Sequence, residues 1–244
     1  MKIQIERRFQ GPPTMGHGGY VSGLFASHTQ GPVQVTLRRP SPLDTDLELQ
    51  TVGEGRLALV HGEVVTADCE PQKLELEVPR PPTLEQARAA EAGSPSHYND
   101  GRGVHNQCFG CGPAREAGDA LRIFPGPIEL DGVKMVAGGW RPGASFAAAD
   151  GSVGRLWVLS ALDCPGAFAF IADKQRAGLL GRIVFDQLRE VRADQDYIVT
   201  GWQAGRDGRK LFAGTALHDA DGTLCAAAKA TWFSMSGKPR PRAS

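Results

Sequence analysis

"GRLALVHGEVVTAD", residues 55–68, returns in altered but parallel form as "GRKLFAGTALHDAD", residues 208–221. Both runs open on Gly-Arg and mix β-branched or aliphatic residues with polar ones at short range, the pattern of half-buried strands. Restatement at such a distance calls for a search for repeats before anything else. Before the first copy, "GGYVSGLFASH" (18–28) reads as a helix opened by glycines, followed by extended runs "VQVTLRRP" (33–40) and "LELQTV" (47–52); "LELEVP" (74–79) follows the copy. Around the second copy the order recurs. A helix-like apolar run, "GRLWVLSALDCPGAFAFI" (154–171), precedes "GRIVFDQLREV" (181–191), "YIVTGWQAG" (197–205) and the pair in 209–233, where "DADG" (219–222) carries an Asp-Gly hairpin signal.

Between the halves, "PRPPTLEQARAAEAGSPSHYNDGRG" (79–103) holds a short Ala/Glu/Arg helix among Pro, Gly, Ser and Asn, which is linker chemistry. The expected organisation is an N-terminal unit 1–92, a linker 93–104, a C-terminal unit 105–235 and a flexible tail 236–244. Of the 244 residues 41% are hydrophobic, enough for a substantial core, and 27 Lys and Arg balance 27 Asp and Glu. That balance gives nucleic acid no broad basic face to bind. The stretch "MKIQIERRFQGPP" lacks the apolar run of a secretion signal, and no run approaches the roughly 20 apolar residues that span a bilayer. A cytoplasmic protein without nucleic-acid or membrane partners is the expectation, with its five cysteines as free thiols. Dinucleotide, phosphate-loop and nucleophile-elbow fingerprints are missing from the sequence.

A helix followed by a long antiparallel sheet, twice in one chain, resembles the double hot-dog fold of the thioesterase superfamily, over roughly residues 1–90 and 120–235. The implied class is α+β, a tandem hot-dog with each half a sheet wrapped around a central helix. "GHGGYVSGLFA" followed by "VTLRRPSPLDTDLELQTVGEGR" looks like the halves of acyl-CoA thioesterase-like proteins, where a Gly-Gly pair opens the helix. The amides of Gly18 and Gly19 would then hold a thioester oxyanion; the other use of such glycines is a turn or close helix–sheet contact. Phenylacetyl-CoA-type members carry an acid two turns into this helix, but here Leu24, Phe25, Ala26 and Ser27 follow. The acid comes instead from "LWVLSALDCPGAFAF" (156–170), where Asp163 is the only charge. "ALDCPGAFAF" resembles the segment of acyl-CoA thioesterase II whose aspartate orients or activates the attacking water. Asp163 is equally placed to cap a helix starting at Cys164, with Pro165 in its first turn. The glutamine of that family has no counterpart in "CAAAKATWF" (225–233), and Thr200 is the candidate hydroxyl.

The implied function is hydrolysis of an acyl-CoA or similar thioester by an activated water in a cleft between the halves. Asp163, Gly18, Gly19 and Thr200 form the candidate catalytic set, and His17, Leu24, Phe25, Trp157 and Phe168 the substrate-binding or core set. Arg38, Arg39, Arg182 and Lys210 are candidates for coenzyme phosphates, no cofactor or metal is required, and association as a homodimer is expected. An acyl-thioester or small apolar ligand binder is the non-enzyme alternative. A hot-dog hydratase would want a His beside the Asp, which "LDCPG" lacks.

"HNQCFGCGP" (105–113) has the C-x-x-C spacing shared by zinc and redox sites. No second ligand pair follows at a usual distance, and glycines and Pro113 stand where a redox helix should start. The segment also resembles the irregular arm leading into a phenylacetyl-CoA-type hot-dog domain. All three readings stay open at this level.

Overall fold

The computed structural model describes residues 1–98 and 105–234; the tail 236–244 and the second half of the expected linker lie outside them. The strands are β1 (Lys2–Gln4), β2 (Val33–Leu37), β3 (Asp46–Gly53), β4 (Arg56–His61), β5 (Val64–Pro71), β6 (Gly126–Leu130), β7 (Val133–Trp140), β8 (Leu179–Gln187), β9 (Tyr197–Asp207), β10 (Lys210–Asp219) and β11 (Leu224–Phe233). The α-helices are α1 (Gly18–Ser27), α2 (Leu84–Ala90), α3 (Arg155–Ala161) and α4 (Cys164–Ile171).

The eleven strands of the described residues form one antiparallel sheet in the order β1-β3-β4-β5-β2-β8-β11-β10-β9-β7-β6. Outward from the β2–β8 seam, where Val33 faces Phe185 and Val35 faces Ile183, the strands run 2-5-4-3-1 on one side and 8-11-10-9-7-6 on the other. Apart from β6, which the second arm adds at its outer edge, the two arms share one connectivity. The sequence repeat itself is only partial: the first copy turns at Gly62 (φ +60°) after six strand residues, while β10 runs on to Asp219 before its hairpin. At that hairpin the Asp219 carboxylate accepts the amides of Asp221 and Thr223, and Gly222 takes φ +86°.

Pro165 explains why the apolar run 154–171 is two helices. Lacking an N–H and colliding with a carbonyl one turn back, it cannot continue α3, so the chain breaks at Leu162 and restarts at Cys164. The main core gathers α1, α3 and α4 on one sheet face, with Phe25, Leu59, Phe168 and Phe185 fully buried.

"LELEVP" is extended but joins no strand. Its alternate side chains Leu74, Leu76 and Val78 lie on the opposite sheet face, over Met135, Trp202, Ala216 and Ala227. Helix α2, started by a capping box between Thr83 and Gln86, packs Leu84 and Ala87 on Ala137, Ile198 and Ile128 of that same face. The helix within the run 79–103 is thus docked on the sheet, because strand alternation leaves this face apolar and in need of cover. No helix among the described residues is long and apolar enough to cross a membrane.

His218 on β10 is 2% exposed and its Nδ1 has no partner among the described residues. Burial, opposed only by nearby Asp219, pushes its pKa down from 6.5 to about 4. The folded state therefore rejects a proton that the unfolded chain takes up. Stability should be full above about pH 6.5 and fall by up to about 3 kcal/mol as the pH drops to 4. Denaturant titrations of the protein and of His218→Phe across this range check it: the variant should lose less stability on acidification, and parallel curves would refute the assignment.

Candidate functional site

The amino ends of α1 and α4, one from each arm of the sheet, meet. His17 caps α1, its Nδ1 accepting the Tyr20 amide at 3.2 Å. Asp163 stands at the N-cap position of α4, but its carboxylate makes no bond to that helix. Oδ2 instead accepts the Gly19 amide of α1 at 2.5 Å and lies 3.2 Å from His17 Nε2. The carboxylate thus caps α1 rather than the helix that follows it in the chain. Gly19 must be glycine for this approach, since a Cβ there would fall 2.6 Å from Asp163 Cβ and 3.0 Å from Ser160 Cα.

Asp163 is 3% exposed, and its Oδ1 has no partner among the described residues. Burial raises its pKa, against the charge of His17 and the Gly19 amide, which favour the carboxylate. For His17 burial works to lower the pKa, but the charges of Asp163 and Cys108 outweigh it and the net shift is upward.

These groups form one wall of a cavity of about 540 Å³. Gly18 and Val21 of α1, Ala167, Phe168 and Ile171 of α4, and Leu179 to Gly181 of β8 continue the wall. Arg38, Arg39 and Arg209 add exposed cations to the lining. Gly18, as first residue of α1, has an amide with no intrahelical acceptor. The Gly19 amide is occupied by Asp163.

Of the residues singled out in the sequence, His17, Gly18, Asp163 and Phe168 line this cavity. Thr200, buried on β9 between Ala137 and Ala216, is not among its lining residues. Neither are Leu24, Phe25 and Trp157: Phe25 is in the core, Leu24 packs against it, and Trp157 joins an aromatic group with Phe9, Tyr20, Phe109 and Phe146. Of the candidate phosphate-binding cations Arg38 and Arg39 line it, while Arg182 and Lys210 do not. Arg38 is tied to Asp68; Arg39 and Arg209 make no side-chain ion pair among the described residues.

The C-x-x-C arm also arrives here. Cys108 and Cys111 line the cavity beside Cys164, with Cys108 Sγ 3.8 Å from Cys164 Sγ and His17 Nε2 3.3 Å from Cys164 Sγ. Hydrogen bonds from Cys111 and Cys164 and the charge of His17 hold the Cys108 thiol well below its ordinary pKa. Burial pushes Cys111 up, and bonding to the other two sulfurs pushes Cys164 up.

No protein family and no curated protein matches the chain by sequence. Among solved structures, the tesB protein of Mycobacterium avium subspecies paratuberculosis superposes with TM-score 0.63 at 14% identity, over 96% of this chain and 92% of that one. A conserved protein of unknown function with a hot-dog fold from Alicyclobacillus acidocaldarius gives TM-score 0.61 at 10% identity, over 97% and 93%. This protein has a hot-dog fold.

Within the hot-dog framework the sequence reading missed Cys164, Arg209 and the β8 residues of the cavity. Cys164 carried a usable signal, a third thiol beside the lone buried acid. Arg209 did not, since a strand-end arginine looks the same whether or not a cavity opens beside it.

Proposed function

We propose that the protein is an acyl-thioester hydrolase of the acyl-CoA thioesterase kind, built from two fused hot-dog units that contribute jointly to one site. The observation that carries the reading is the buried Asp163 carboxylate of the second unit, seated against the first helix turn of the first unit on a cavity wall. Asp163 takes a proton from water as its oxygen bonds the thioester carbon; the C–S bond then breaks and the proton passes to the leaving thiolate. The Gly18 amide serves the developing oxyanion at the positive end of α1. Phe168, Ala167 and Ile171 offer apolar surface to the acyl group, and Arg39 and Arg209 offer charge to the coenzyme phosphates.

Thiol release from short-chain, medium-chain and aromatic acyl-CoAs tests this. Turnover of any of them above the buffer rate supports the reading. Absence of turnover, with an acyl-CoA that still raises the melting temperature, turns it into an acyl-thioester binding protein. That reading draws on the lack of Gln and Thr among the described cavity-lining residues. A hydratase draws on His17, which the fold places 3.2 Å from Asp163 although the helix sequence has no such neighbour; loss of 2-enoyl-CoA without thiol release would single it out.

Arg39→Ala and Arg209→Ala should each raise KM for an acyl-CoA by about five-fold, the effect of about 1 kcal/mol from an exposed ionic contact, with kcat little changed. A truncated thioester without the nucleotide phosphates should not register either change. Equal effects on both substrates would move these cations off the phosphates.

A further inference from the structure

We propose that His17, Cys108, Cys111 and Cys164 form a tetrahedral site for zinc or a similar thiophilic divalent metal. The ligand atoms of His17, Cys108 and Cys164 all lie within 4.8 Å of one another. With Zn–S of about 2.3 Å and Zn–N of about 2.0–2.1 Å, a tetrahedron has S–S edges of about 3.8 Å and S–N edges of about 3.6 Å. The Cys108–Cys164 edge is 3.8 Å and the His17–Cys164 edge 3.3 Å, so the cluster already has the size of such a site. Cys111, three residues further along the arm and on the same cavity wall, lies outside that group of three and completes the set by a small closure of the Cys108–Cys111 loop.

The arm is shaped for this. Gly112 donates its amide to the Cys108 carbonyl at 2.8 Å, closing the Cys108–Cys111 loop, and a Cβ at Gly112 would meet Cys108 N and O at 2.6 Å. A Cβ at Gly110 would fall 2.7 Å from His17 Nε2 and 2.8 Å from Cys164 Sγ. Both glycines of "CFGCG" are therefore required by close approach, one within the loop and one against the other ligands. Three thiols and an imidazole, all at most 8% exposed, would otherwise sit together with little water and few good acceptors. A divalent metal converts them to thiolates and offsets two of their three negative charges.

Metallation at Nε2 puts the His17 proton on Nδ1 and removes the acceptor of the Tyr20 amide. His17 thereby gives up two contacts, the 3.2 Å capping bond and the 3.2 Å approach of Nε2 to Asp163 Oδ2, against four metal–ligand bonds. His105, grouped with the cysteines by sequence, lines the cavity but is not in the cluster. Four protein ligands leave no open position, so the role is structural. The metal would pin the start of α1, the 105–113 arm and the start of α4 to one point, next to Asp163 but independent of whether Asp163 hydrolyses anything.

The full chain, purified reduced and exposed to zinc, should hold about one metal per chain after dialysis by elemental analysis. Its cobalt form should show intense thiolate-to-metal charge transfer and tetrahedral d–d bands. Cys111→Ser should lower metal content by about ten-fold or more, whereas Cys69→Ser with Cys225→Ser should leave it intact. His17→Ala should shift the d–d bands while charge transfer persists. The cobalt spectrum of the unmutated protein reports on the site even where a variant does not fold. A metal-free reduced protein, or cobalt without thiolate charge transfer, overturns the proposal. An unchanged spectrum in His17→Ala removes His17 from the ligand set and overturns the site as assigned.

Discussion

Asp163→Asn should slow thioester hydrolysis by about 100-fold or more while leaving the melting temperature within a few degrees. The amide keeps the shape of the acid, and its oxygen can still accept the Gly19 N–H that Oδ2 now holds at 2.5 Å. What disappears is the ability to take a proton from water. Asp163→Ala removes more, since it also leaves the Gly19 amide buried without its acceptor, and it should destabilise by about 1–3 kcal/mol. Comparing the two separates catalysis from capping. If Asn hydrolyses as fast as the parent, Asp163 is a cap for α1 and the hydrolytic assignment fails with it; if both variants unfold alike, the carboxylate is chiefly structural.

Gly23→Ala should destabilise the protein by about 2–3 kcal/mol, the reverse of the usual helix effect. In an exposed helix interior this change gains up to about 1 kcal/mol, because glycine loses more backbone freedom on ordering. Here Gly23 of α1 is buried against α3, and an added Cβ would lie 2.4 Å from the Leu156 carbonyl oxygen and 3.0 Å from its Cα. Backbone cannot yield as a flexible side chain does, so the helices must separate. Separation also strains the Arg155 side chain, which donates to the Ala26 and Gly31 carbonyls at 2.9 and 2.6 Å. Chemical denaturation with an unchanged m-value reads the loss. A stabilised Gly23→Ala would mean that α1 and α3 are not in contact as described.

Local chemistry was legible in the chain wherever the physics is local. Alternating or β-branched runs marked β2, β3, β9 and β10, and the Asp-Gly signal placed the β10–β11 hairpin. The segment 74–79 shows the limit: its alternation is real, but period two reports only which side chains face an apolar surface, and here the surface belongs to the other half's sheet. Asp163 stood out because a lone charge among apolar residues must be satisfied or used. That it could face the Gly18–Gly19 amides was implied by the hot-dog resemblance, which sets the site between the halves, and by no local pattern, since Gly19 is 144 positions away.

The same distance hid the metal cluster. By spacing alone Cys108 and Cys111 lacked further partners; they come from His17, the cap of α1, and Cys164, the first residue of α4, which is 147 positions from His17 and 56 from Cys108. By itself the sequence determined the opening helix, several of the strands, the β10–β11 hairpin and the lone acid Asp163, because those follow from propensity and periodicity over a few neighbours. Only the tertiary structure decided which of them meet: pairing β2 with β8 sets the two arms side by side in one sheet, and α1 and α4 then bring their amino ends to one point in a shared core.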